Sequence, residues 1–121
     1  MILLRTIINS IPGKQKEVLQ TLHSLIEPSE KEKGCLRYQI FRDIDDIHAF
    51  YMISEWQTRQ HLDLHMRSDR FGILLGTQSL LCEPLNIKIV TVTETEGIEA
   101  AHSVRKKTNA CFPSRGKKTA V

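Results

Sequence analysis

No apolar run in this chain reaches the ~18–20 positions that a membrane-spanning helix needs, so no membrane association is expected. The three cysteines, Cys35, Cys82 and Cys111, include no Cys-x-x-Cys pair and are odd in number. That argues against a disulfide framework or a zinc ribbon and for a reducing compartment, with the cytoplasm as the default. The opening MILLRTII carries Arg5, runs straight into a turn and lacks a small-residue cleavage site, so it does not read as a signal peptide. An HExxH metal motif is missing, and so is the RNP-type strand motif of some RNA-binding sheets.

Basic residues are scarce outside the last stretch. Residues 1–96 hold 11 Lys/Arg against 13 Asp/Glu, whereas residues 97–121 hold 6 against Glu99 alone. The net charge of +3 therefore belongs to a tail on a slightly acidic domain. Clusters at Arg105-Lys106-Lys107 and at Arg115, Lys117 and Lys118 could meet an acidic partner. With few aromatics and a terminal position, the tail is expected to be a mobile or docked appendage, and nucleic-acid binding is not expected.

What the chain does have is periodicity that changes along its length. Residues 2–9 are rich in β-branched residues and leucine, and they read as a strand. Val18, Leu19, Leu22, Leu25 and Ile26 then fall at helical spacing, with Pro12 suited to the helix start and Pro28 predicting a stop near Glu27. Two strands follow at 35–43 and 48–56, joined by a turn at Asp43-Ile44-Asp45-Asp46. A short helix spans about 58–66, another helical turn or two follow through 69–76, and a last strand covers 83–94. One domain of βαββαβ order over residues 1–96 results, an α+β, ferredoxin-like fold with an antiparallel four-stranded sheet and both helices on one face.

Both faces of that sheet are substantially apolar. Phe50, Met52 and Trp56 alternate with Ala49, Tyr51 and Ile53; Leu36, Tyr38 and Ile40 alternate with Cys35 and Phe41. Helices can cover one face only, so the other is expected to meet the same face of a second copy in a homodimer, unless the tail folds back over it.

Three stretches, EPSEKEKGCLRYQIFRD, FYMISEWQTRQHLDLHMRSDRF and EPLNIKIV, resemble the antibiotic biosynthesis monooxygenase (ABM) family over about residues 1–96. The middle one carries most of the likeness, with its Glu55-Trp56 pair and a histidine, His65, before a Ser-Asp-x-Phe step. The tail departs from the family, whose members usually end soon after the last strand. The resemblance implies a dimeric α+β barrel with a pocket between sheet and helices in each subunit. Its quinol-monooxygenase-like branch implies oxidation of a quinol, polyphenol or polyketide by O₂ with no bound cofactor. An isomerase, or a non-catalytic ligand-binding or regulatory dimer, is compatible with the same fold. The haem-degrading branch is similar in layout, but Thr6, His65 and Leu75 stand where it carries an Asn, a Trp and the haem-ligating His, so haem chemistry is not expected.

His65 is the expected catalytic base, because an imidazole accepts protons near neutral pH and Leu62 and Met66 place it on the apolar face of its helix. A structural histidine bonded to protein groups is the plain alternative. His61 lies one turn earlier, but with no third ligand at recognisable spacing no metal site is expected, and His61 reads as a flanking residue. Trp56, Phe50, Met52, Tyr38, Phe71 and Arg37 are the candidate pocket residues. For each there is a bland counterpart: core packing for the apolar side chains, and an ion pair across the dimer for Arg37 and Arg5. Leu74 and Leu75 would edge the pocket, Cys35 and Cys82 would be small buried hydrophobes, and His23 and His48 would be peripheral.

Overall fold

A computed structural model describes residues 1–111, with side chains described through residue 106. The strands are β1 (Ile2–Asn9), β2 (Cys35–Arg42), β3 (Ala49–Trp56) and β4 (Asn86–Thr91), and the helices α1 (Gln15–Glu30), α2 (Arg59–Met66), α3 (Asp69–Gly76) and α4 (Ile98–Cys111). The sheet order is β2-β3-β1-β4, with every neighbouring pair antiparallel. This is the α+β, ferredoxin-like arrangement expected from the order of elements. None of the described helices is long and apolar enough to cross a membrane.

Period-2 alternation decides which residues enter the core. On β1, Ile2, Leu4, Thr6 and Ile8 are buried; their partners across the ladder to β3 are Trp56, Ser54, Met52 and Phe50, also buried. Val18, Leu22 and Leu25 from α1, Leu62 from α2, and Phe71 and Leu74 from α3 pack onto this face. The opposite face carries Leu3, Arg5, Ile7, Phe41, Tyr51, Ile53, Lys88 and Val90, none of which is fully buried.

Three details depart from the sequence expectations. Helix α1 begins at Gln15, not at Pro12, because Ile11–Lys14 form a turn closed by Lys14 N–H donating to the Ile11 carbonyl at 2.9 Å. Gly13 there has φ +89°, the conformation that a Pro-Gly turn requires at its third residue. At its other end α1 continues past Pro28 to Glu30. Proline removes one N–H from the ladder, but Ser29 is fully buried, so packing holds the last turn. In β2 the register shifts between Cys35 and Arg37, so Leu36 becomes the extra residue of a β-bulge and is 55% exposed. Cys35 thereby joins Tyr38 and Ile40 on the core side, reversing the expected faces of Cys35 and Leu36. Beyond the sheet, residues 98–111 are helical, a local conformation that the expectation for the tail did not address; Arg115, Lys117 and Lys118 lie outside the described residues.

Candidate functional site

The site forms where β3 ends and α2 begins. Thr58, two residues after Trp56, caps α2 by accepting the His61 backbone N–H at 3.2 Å, so the helix starts at Arg59. From that start, Leu62 and His65 fall on the inner face and are buried. Ser68 repeats the device for α3, accepting the Phe71 N–H at 3.3 Å and turning Phe71 inward.

His65 is 2% exposed. Its ring stacks on the Trp56 indole, with centroids 4.6 Å apart and planes 27° apart. Tyr38 and Phe71 meet it edge-on at 5.9 Å and 5.6 Å. Trp56 is itself fully buried, and its indole N–H donates to Ser54 Oγ at 2.9 Å. It lies on the helix side of the sheet, within the apolar core.

The polar side of the imidazole is taken by a residue of the turn between α1 and β2. Glu32 sets both carboxylate oxygens 3.0 Å from His65 Nδ1, and Arg70 Nε donates to Glu32 Oε2 at 2.6 Å. A carboxylate only accepts, so in the neutral ring Nδ1 carries the proton and the lone pair lies on Nε2. Burial holds the His65 imidazole below its ordinary value; Glu32 pushes it upward and Arg70 opposes Glu32, but burial prevails. At neutral pH the ring is therefore an uncharged acceptor at Nε2. Burial also drives the Tyr38 phenol up to about 12, so it stays protonated. The Cys35 thiol is raised by burial as well, so it is no thiolate nucleophile.

Of the expected pocket residues, Trp56, Tyr38 and Phe71 do surround His65. Met52 and Phe50 share the buried face but lie four and six residues back along β3, roughly 13 and 20 Å at strand spacing. Arg37 is exposed and sits on the other face, opposite Glu55 in the ladder, because its neighbour Tyr38 points inward. Leu74 is buried, whereas Leu75 is 48% exposed. Cys82 is exposed, contrary to expectation: a loop beside Asn9 holds it, with its backbone N–H bonded to the Asn9 carbonyl at 3.0 Å.

His61 proves to be a packing residue. Its Nδ1 is 2.8 Å from Thr58 Oγ1, and its ring lies so close to Gly34 that a methyl group there would collide with it. Glu32, Arg70 and Ser54 were missed by sequence reasoning. Only Ser54 left a signal, two positions from Trp56 on the same strand face.

Residues 1–72 match the family described as "Antibiotic biosynthesis monooxygenase". The chain belongs to this family. Among relatives of this ABM protein, the uncharacterized protein sll1783 of Synechocystis is 31% identical over 86 residues, 70% of this chain and 58% of the relative's length. YcnE of Bacillus subtilis, provisionally named a monooxygenase, is 27% identical over 95 residues, 78% of this chain and all of that one. Among solved structures, PA3566 of Pseudomonas aeruginosa is 31% identical with a TM-score of 0.67, covering 78% of this chain and 94% of that chain.

Proposed function

We propose that this ABM-family protein is a homodimeric, cofactor-independent monooxygenase of a quinol or polyphenolic small molecule, with His65 as base. The observation that carries the reading is the buried imidazole, neutral at pH 7, with Nδ1 held by Glu32 and its ring flanked by Trp56, Tyr38 and Phe71. Nε2 takes a proton from a substrate hydroxyl, and the resulting anion is electron-rich enough to reduce O₂ directly. For a simple quinol, quinol plus O₂ gives hydroxyquinone plus water, so the substrate supplies every electron. The aromatic walls favour a planar substrate and exclude water around the anion. Family membership and the name given to YcnE support the monooxygenase class.

The dimer is supported by the open sheet face. Phe41 and Val90 there are 43% and 37% exposed, and Arg5 Nε is buried without a hydrogen-bond partner among the described residues. A second subunit would cover the former and supply an acceptor for the latter.

Oxygen uptake by metal-free protein across a quinol panel tests the proposal. Turnover above the spontaneous rate is expected, with a loss of about 100-fold or more in His65→Ala, the scale of a positioned base. Turnover indifferent to His65→Ala would refute it. One observation favours a second reading, a non-catalytic ligand-binding or regulatory dimer: the 2% exposure of His65 together with its tie to Glu32. In that case the purified protein binds an aromatic ligand but consumes no oxygen.

A further inference from the structure

Three elements distant in sequence converge on the His65 ring. Glu32 comes from the turn after α1 and Arg70 from α3, while His65 itself lies in the last turn of α2. The Glu32 side chain is 14% exposed and that of Arg70 35%, so these charges act through partly desolvated space. Also facing the ring are Tyr38 on β2, Trp56 on β3 and Phe71 on α3, and Cys35 on β2 lies within the field of Glu32. Tyr38 and Cys35 stay neutral near pH 7, which leaves Glu32 and Arg70 as the charges that reach the imidazole.

We propose that Glu32 is a positioning residue for His65, locking the imidazole with its proton on Nδ1 and its lone pair on Nε2, and that Arg70 pins the Glu32 carboxylate while offsetting its charge. The carboxylate spans Nδ1 with both oxygens, which fixes ring rotation as well as tautomer. Arg70 reaches the same carboxylate from the side of α3, so its position depends on the packing of α3 as well as on the turn. This inference builds on the reading of His65 as base, yet its test needs no substrate.

The two charges act on the ring in opposite senses, and a merely structural pair would not. The test is ¹⁵N NMR of the His65 imidazole in the full chain, titrated with pH in wild type, Glu32→Gln, Glu32→Leu and Arg70→Gln. Wild type is expected to show a protonated Nδ1 and a bare Nε2 when neutral. Glu32→Gln moves the midpoint to lower pH, Arg70→Gln moves it to higher pH, and Glu32→Leu mixes the two tautomers. The proposal is overturned if Glu32→Gln leaves the midpoint in place, if both charge removals shift it the same way, or if Glu32→Leu keeps the wild-type tautomer. Should the Glu32 variants not fold, Arg70→Gln alone decides, and an unmoved or lowered midpoint overturns the proposal. An oxygenase failure would appear in oxygen uptake and leave these spectra unchanged, so the two ideas fail separately. With a turned-over quinol in hand, Glu32→Gln lowers kcat about 10-fold or more at near-constant KM, up to the contribution of the base itself.

Discussion

His65 couples the state of its proton to the stability of the fold. In the unfolded chain the imidazole takes a proton near 6.5, whereas burial delays protonation in the folded protein to lower pH. Its contribution to stability is therefore complete above 6.5 and is lost as pH falls from there through the folded value. Urea denaturation at a series of pH values should show the midpoint falling across that window, and His65→Gln should flatten the fall; an unchanged slope in the variant would remove His65 as its cause. The aromatic partners of His65 were legible because each lies on an apolar strand or helix face. Glu32 was not, since it sits among Ser29, Glu30, Lys31 and Lys33 in what reads as solvated charge. Its partner is 33 residues away, and only packing of α2 against that turn brings the two together.

At the scale of elements, the turn from α1 to β2 carries more of the site than its length suggests. Gly34 adopts φ +84°, its carbonyl accepts the Gln57 N–H at 2.8 Å, and the His61 ring fills the space beside it. Gly34→Ala should destabilise the protein by about 2 kcal/mol or more, from backbone strain plus collision. His61→Ala in the same chain should recover the collision part and leave the strain, which a double-mutant denaturation cycle separates. Helix α2 has few residues to hold it: Leu62, fully buried, His65 and the half-buried Met66 are its inward contacts. Leu62→Ala should cost about 2–5 kcal/mol by chemical denaturation and release α2 from the sheet. Hydrophobic spacing located α1, α2 and every strand, but it could not see the bulge at Leu36. A bulge is an event of pairing between β2 and β3, and neither strand alone records it.

For the whole molecule, the two faces of the sheet differ in how far they are closed to solvent. The helix side is closed by a single apolar cluster, while Leu3, Ile7, Tyr51, Ile53 and Val90 share the other side with Arg5 and Lys88. Association through this face should be broken by Ile53→Lys, which sets a third cation beside Arg5, its ladder partner, and Lys88. Sedimentation should then report a dimer for wild type and a folded monomer for the variant; a variant that stays dimeric would place the contact elsewhere. Helix α4 adds a local conformation that composition did not address: residues 98–104, IEAAHSV, are short on helix breakers, and basic charge further along does not prevent a helix there.

Residue order by itself determined the alternation of strands and helices, the buried stripe on each, and the family likeness around Trp56 and His65. Those are local quantities, set by side-chain periods of two and 3.6 along a single element. The tertiary structure alone decided which charges meet the imidazole and that Arg37 sits exposed on the sheet face away from His65. Each of those depends on the distance and direction between elements, and packing sets these only once the chain has closed on itself.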